Sequence, residues 1–204
     1  MLLDYFEGKK VLDRYGIRSI ESKYVESSED AVKFAGEGKL VLKLISEKQL
    51  HKSKAGLVKL DLSDHESIVK AYKELEAKGR ALHPYRIIAQ KMVRGGVEII
   101  IGGNEDPQFG KMVLLGLGGI YVEAFKDFAL RLCPITSQDA LDMIDQLKSR
   151  KVVTYDGEAT VRIRDLLVRT SKLLYENRDI KELDLNPVVV RSDGYDVVDI
   201  RILK

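Results

Sequence analysis

Residues 40–62 read Leu-Val-Leu-Lys-Leu-Ile-Ser-Glu-Lys-Gln-Leu-His-Lys-Ser-Lys-Ala-Gly-Leu-Val-Lys-Leu-Asp-Leu: two apolar runs, each carrying one lysine, joined by a polar and basic loop. Alternation at period two makes 40–45 a strand, with Lys43 on the face of Val41 and Ile45. The run 56–62 is a second strand, with Lys59 expected on the face of Leu57 and Asp61, and Val58, Leu60 and Leu62 toward the core. Antiparallel neighbours of this kind can aim both lysines into one cleft. No acid lies in the strand of Lys43, so its ammonium calls for an anion from elsewhere, because burial without one is costly or neutralises it. For Lys59, a solvated strand face shared with Asp61 accounts for the residue as well as a ligand does. His51, in the joining loop between Lys52 and Lys54, is either a plain exposed loop histidine or a nucleophile toward a phosphoryl group, since imidazole is largely neutral near pH 7.

Outward from these strands the chain alternates short strands and helices, an α/β (α+β) pattern without internal repeat or low-complexity tract. Tyr5, Val11, Leu12 and Tyr15 form a helical stripe that Gly16 can end. Ser27-x-x-Asp30 opens a second short helix, and Ser63-x-x-Glu66 reads as the box that starts a third, with Ile68, Tyr72 and Leu75 on its apolar face. A strand over 86–93 follows His83-Pro84. The second half changes texture: strands at 97–102, 111–116 and about 120–132 with glycine-rich turns, helices at about 137–148 and 160–175, and a terminal hairpin of 180–191 with 195–203 turning at Ser192-Asp193-Gly194. The change near residue 90 predicts two lobes sharing a cleft.

Composition narrows the function classes. The 204 residues carry 34 Lys and Arg against 32 Asp and Glu, a near balance that does not resemble the basic footprint of a duplex binder. Apolar stretches are only a handful of residues long, and Asp4 and Glu7 interrupt the start, so neither a membrane span nor a secretory leader is expected. The single cysteine, Cys133, suits a reducing, cytoplasmic compartment and reads as a small buried hydrophobe.

Two further groups of residues carry chemistry. Glu182, Asp184 and Asn186 alternate in Glu-Leu-Asp-Leu-Asn-Pro, so three oxygen-bearing side chains share one strand face while Leu183 and Leu185 pack behind. Their mutual repulsion would be relieved by a hard cation. A four-residue loop at Arg191–Gly194 sets Asn186 opposite Asp199, and a two-residue loop sets them diagonally. One carboxylate with one amide oxygen, completed by water and phosphate oxygens, is a common way to hold Mg²⁺, although an exposed acidic hairpin has the same sequence. The second group is Gly116-Leu-Gly-Gly119 after the apolar run Met112–Leu115, where freed backbone amides can close on phosphate oxygens or simply form a tight turn. Glu98 and Arg131 are charged residues inside apolar runs, able to pair with each other or with a ligand.

Together the segments VLKLISEKQLHKSKAGLVKL (41–60), GGVEIIIGGNEDPQFGKMVLLGLGGIYVEAFKD (95–127), and ELDLNPVVV with VDIRI (182–190, 198–202) resemble the ATP-grasp subunit of the ADP-forming acyl-CoA synthetases, in the succinyl-CoA synthetase superfamily. The resemblance runs over essentially the whole chain. It implies one ATP-grasp domain over 1–204, with a small lobe at about 21–90, a large lobe of 1–20 plus 91–204, and nucleotide held in a cleft between them. It further implies the interconversion acyl-CoA + ADP + phosphate ⇌ acid + CoA + ATP, with ATP/ADP and Mg²⁺ as cofactors. In that family strand lysines, matched by Lys43 and Lys59, hold nucleotide phosphates, while Asn186 and Asp199 match the Mg²⁺ ligands. His51 matches a phosphate relay between the nucleotide site and a histidine on the partner. The turn ending in Gly118 and Gly119, with Glu123, matches the segment beside the phosphates; Glu98 and Arg131 join the nucleotide set. Adenine is expected along the lobe connection Gln90–Val93, including Met92, through backbone groups.

CoA and the acyl group are handled in that family by a separate subunit or domain, and nothing in this sequence resembles a CoA-binding Rossmann unit. The resemblance therefore implies a hetero-oligomer with a CoA-binding α-type partner. Three departures stand out: Gln90-Lys91-Met92 where relatives read Q-E-M, and Lys54 and Leu57 where they read H-K-S-D-x-G-G. A non-catalytic nucleotide-binding module descended from the family is the alternative these departures raise. A further alternative makes an acyl phosphate and passes it to an amine or thiol.

Overall fold

The computed structural model describes residues 1–46, 56–118, 127–155 and 157–204. It divides into two compact units, Ile20–Arg94 and a second formed by Met1–Ser19 with Gly95–Lys204.

The smaller unit is built from β1 (Ser22–Val25), α2 (Ser28–Ala35), β2 (Leu40–Ser46), β3 (Val58–Leu62), α3 (His65–Ala81) and β4 (Tyr85–Lys91). Its antiparallel sheet runs β1-β4-β2-β3. Leu40, Leu42 and Leu44 alternate onto one face, where they meet Leu57, Ile87 and Ala89 and are covered by Ala31, Ala35, Ile68, Ala71, Tyr72 and Leu75 of the two helices. That apolar face is what the period-two pattern encodes. Ser27 caps α2 through a bond from Asp30 N. For α3 the cap is Asp64, one residue later than Ser63, and Ser67 completes the box in place of Glu66. Asp64 accepts from Ser67 N at 2.9 Å.

One irregularity reshapes the β2–β3 pair. Leu42 pairs with Lys59 and Leu40 with Leu62, so Val41 faces both Leu60 and Asp61. Asp61 takes φ 58°, and this extra residue is a β-bulge. Before the bulge, Leu60 follows Val58 on the face away from the helices and, although expected in the core, is 60% exposed; the extra residue returns Leu62 to the covered face opposite Leu40, where it is buried.

The larger unit holds α1 (Tyr5–Arg14), β5 (Val97–Asp106), β6 (Gly110–Leu117), β7 (Phe128–Leu132), α4 (Ser137–Gln146), α5 (Arg150–Val153), α6 (Gly157–Glu176), β8 (Glu182–Arg191), β9 (Gly194–Val197) and β10 (Ile200–Leu203). Its sheet runs β10-β8-β5-β6-β7, with β9 paired to β8. Ile99, Ile101, Val113, Leu115 and Leu185 are fully buried on one face, as are Ile163, Leu166, Leu167 and Leu174 of α6. The approach of helix and sheet is tight: a Cβ on Gly103 would lie 2.3 Å from Leu174 Cδ1. Cys133 is half-buried, less than the buried position expected of it.

The hairpin turns on Ser192-Asp193 alone, with Arg191 paired to Gly194. Centred there, the two-residue loop produces the same register as the four-residue one, so the expected diagonal offset does not arise. Among the described residues no helix is long and apolar enough to cross a membrane.

Candidate functional site

In the smaller unit, Lys43 is 6% exposed. It pairs with Val58 on one side and Ile88 on the other, and Val41 pairs with Gln90. Lys43, Val41, Ile88 and Gln90 therefore share the sheet face turned away from α2 and α3. Lys59, paired with Leu42, points to the opposite face, toward the helices. There its ammonium donates to Glu74 of α3, and that bond lowers the Glu74 carboxyl below its usual range. The two lysines thus do not aim into one cleft. The reason is register: strands of odd offset put successive lysines on opposite sides of the pleat.

Along the end of β4, Gln90 is buried and donates from Nε2 to Ser22 Oγ at 3.2 Å. The N–H of Lys91 donates to Glu21 O at 3.0 Å and that of Met92 to Lys39 O at 3.0 Å. Those two donors are already committed, and Val93 is the first residue of the segment whose N–H makes no backbone bond among the described residues. Lys91, whose charge would stand beside the expected nucleotide, sends its ammonium instead to Phe34 O at 2.8 Å and Ala35 O at 2.9 Å, the carbonyl end of α2. Leu57, another departure, lies in the apolar core of the unit.

In the larger unit, Glu182 and Asp184 alternate with buried Leu183 and Leu185, as the spacing predicts. Asn186 N donates to Asp199 O at 3.3 Å, next to the Ile200–Leu185 pair, so Asn186 of β8 stands opposite Asp199 in the short connection between β9 and β10. Asp199 Oδ1 also accepts from Ile200 N at 3.1 Å. Burial and the nearby charge of Asp199 push the Asp184 carboxyl up from its ordinary value, against a smaller lowering effect of Arg201. Oxygen donors crowded in this way fit a hard divalent cation, whose charge would offset the repulsion. Among the described residues no three His, Cys, Asp or Glu side chains form a metal cage by themselves. Two protein oxygens completed by phosphate and water is the arrangement that suits Mg²⁺.

Gly118 packs against the backbone of Glu98: its N–H donates to Glu98 O at 2.7 Å. A Cβ on Gly118 would lie 2.8 Å from the Glu98 carbonyl carbon and oxygen. Only glycine allows the chain leaving β6 to lie so close to β5. Glu98 itself is exposed, on the sheet face away from α6. Arg131, paired with Val113, is on the helix-covered face, where it donates to Gln146 Oε1 at 3.0 Å and Leu130 O at 2.8 Å. Glu98 and Arg131 therefore do not meet, and of the two alternatives raised for them the mutual pairing is excluded by the pleat. His51, Gly119 and Glu123 lie outside the described residues.

Asp127 is a residue the sequence reasoning missed. It is buried, and its two carboxylate oxygens accept from Lys148 N and Ser149 N, both at 2.8 Å. Burial works against its ionisation, but the bonds from Ser149 and Lys148 outweigh it and hold the carboxyl below its usual range. An acid next to the apolar run Phe128 to Leu130 was the available signal.

Comparison with known proteins shows the family and the fold. The family model described as "ATP-grasp domain" matches residues 1–203. The β subunit of the ADP-forming acetate–CoA ligase I of Pyrococcus furiosus is 38% identical over 207 residues, covering 97% of this chain and 89% of the relative. An acetyl-coenzyme A synthetase 1 of Ca. Korarchaeum cryptofilum, solved with coenzyme A and Ca-AMPCP, superposes with a TM-score of 0.91 at 39% identity, covering 99% of this chain and 93% of that one. The same synthetase with Mg-AMPPCP, its phosphohistidine segment pointing towards the nucleotide binding site, superposes with a TM-score of 0.83 at 38% identity, covering 99% and 92%.

Proposed function

Because the chain belongs to the ATP-grasp domain family, we propose that it is the nucleotide-binding subunit of an ADP-forming acyl-CoA synthetase. In this reading it moves a phosphoryl group between a phosphohistidine and ADP in the interconversion acyl-CoA + ADP + phosphate ⇌ acid + CoA + ATP. The observation that carries the proposal is the end-to-end likeness to a synthetase subunit solved with a nucleotide analogue and coenzyme A. Lys43 holds nucleotide phosphates, with Gly118 and Gly119 beside them and Glu123 and Glu98 at their border. Gln90, Met92 and Val93 line the adenine, with Val93 N–H as the backbone donor. Lys59 and Arg131 are left out of this assignment, since both are engaged on the helix-covered faces of their sheets.

His51 is the relay. In the synthetic direction its N–P bond breaks as an O–P bond forms to the terminal oxygen of ADP, and the imidazole keeps the electron pair of the broken bond. Such transfers depend on positioning and cationic charge more than on covalent chemistry, and Lys43 supplies part of that charge. Asn186 and Asp199 would hold Mg²⁺, which when bound neutralises charge on the transferring phosphoryl group. The relatives' designation as β subunits supports a CoA-binding α-type partner for this chain, and the composition supports a cytoplasmic setting.

The non-catalytic alternative loses support from two of the departures that raised it. Lys91 is turned to a helix end and Leu57 to the core, so neither altered side chain marks a lost site. Reconstitution with a CoA-binding partner subunit tests the proposal. The mixture should make ATP from acyl-CoA, ADP and phosphate, and His51→Ala should abolish turnover while ATP binding persists. Turnover unchanged in His51→Ala would overturn the relay, and absence of Mg²⁺-dependent ATP binding by the parent chain would overturn the nucleotide assignment.

A further inference from the structure

The larger unit has a cavity of about 410 Å³ between α1 and α6. Arg14 and Tyr15 reach it from the end of α1, Arg169, Lys172 and Glu176 from α6, and Asn177 from the residue after α6. Positions 169, 172 and 176 fall on one side of a helix, three and four residues apart, so their side chains converge. Three cations therefore surround a space that has a single carboxylate in its wall.

That carboxylate is already engaged. Glu176 Oε2 accepts from the Tyr15 hydroxyl at 2.9 Å, and its other oxygen lies 3.8 Å from Lys172 Nζ. Asn177 Nδ2 donates to Tyr15 Oη at 2.9 Å. Burial, reinforced by Glu176, raises the Tyr15 hydroxyl from its ordinary value, so it stays a protonated donor. Arg169 donates to Gly16 O at 2.5 Å, which fixes the position of its guanidinium. The Arg14 guanidinium makes no hydrogen bond or ion pair with a described residue. Two guanidiniums, one held in place, beside an excess of two positive charges suit an anion with several acceptor oxygens. Val11 and the ring of Tyr15 are the apolar parts of a wall otherwise formed by charged and amide side chains. None of the lining residues is among those assigned to nucleotide or Mg²⁺.

We propose that this cavity binds a phosphate group, the Arg14 and Arg169 guanidiniums and the Lys172 ammonium taking its oxygens. The phosphate can be inorganic or the terminal phosphate of a nucleotide, which share this chemistry. The test is titration of inorganic phosphate, and separately of ADP, into the full chain without Mg²⁺, read at the Arg14 and Arg169 side-chain N–H signals by NMR. Saturable shifts of both arginines are expected. Arg14→Ala with Lys172→Ala, which leaves the Arg169–Gly16 bond intact, should weaken the binding at least about ten-fold. Glu176→Gln should strengthen it, because a repelling charge is removed while the acceptor for Tyr15 remains. Shifts with phosphate alone assign the inorganic anion, and shifts with ADP alone assign the nucleotide terminus. No saturable shift with either ligand to about 20 mM, or equal affinity in all variants, overturns the proposal.

Discussion

Lys91 Nζ donates to the carbonyl oxygen of Ala35 at 2.9 Å, and with its companion bond to Phe34 it closes the C-terminus of α2. The ammonium also stands 5.1 Å from the centre of the Phe34 ring. Terminal helix carbonyls lack partners within the helix and carry partial negative charge, so a cation there satisfies both. Lys91→Ala should lower stability by about 1 kcal/mol, and Lys91→Glu by more, because a carboxylate would face those carbonyls. Urea midpoints measure both. ATP affinity should be nearly unchanged in Lys91→Ala; a large loss would place the charge at the nucleotide after all.

The two strand lysines should separate cleanly. Lys43→Ala is expected to weaken Mg²⁺-ATP binding at least about ten-fold, since it removes a charge-assisted contact to phosphate. Lys59→Ala removes a partly exposed ion pair with Glu74 and should cost at most about 1 kcal/mol of stability without affecting nucleotide binding. Calorimetric titration of the two variants decides; equal losses would contradict the opposed faces.

Asp184 and Asp127 should respond to pH with opposite signs. Asp184 has a folded pKa above its unfolded value of about 3.9. It favours the folded state below that value and loses this contribution as pH rises through the folded pKa. Asp184→Asn, measured without Mg²⁺, should therefore stabilise the protein at neutral pH, with the gain fading below about pH 4. A gain that persists at pH 3 would rule out titration of this carboxyl as its cause.

Asp127 has a folded pKa below the unfolded one. Its contribution is present above about pH 3.9 and disappears as pH falls through the folded value. Asp127→Ala strands two backbone N–H groups, those of Lys148 and Ser149, and should cost about 2–3 kcal/mol at neutral pH. Denaturation at neutral pH and at pH 3 should show the penalty shrinking in acid.

Gly118→Ala places a methyl group 2.8 Å from Glu98 backbone atoms, where neither strand can yield cheaply. A loss of about 1–3 kcal/mol is expected, together with weaker ATP binding if the turn borders the phosphates. Unchanged stability would show that the β5–β6 end relaxes freely.

Local chemistry made much of this legible. Leu40, Leu42 and Leu44 announce a strand with one buried face, and Lys43 is conspicuous because it breaks the other face. Leu183 and Leu185 alternate with Asp184 and Asn186 in the same way, and a short hairpin bounds how far Asp199 can be from Asn186. These are consequences of bond geometry along a few residues, so they survive without knowledge of the rest of the chain. The bulge at Leu60-Asp61 does not: it depends on how β3 meets β2, and one extra residue put Leu62, and not Leu60, on the helix-covered face. The direction of Lys59 toward Glu74, of Arg131 toward Gln146 and of Lys91 toward Ala35 likewise rests on partners brought close by packing. Alternation states that two side chains differ in face; only the folded sheet, by choosing which face its helices cover, decides which of them reaches solvent or ligand and which is held by a helix.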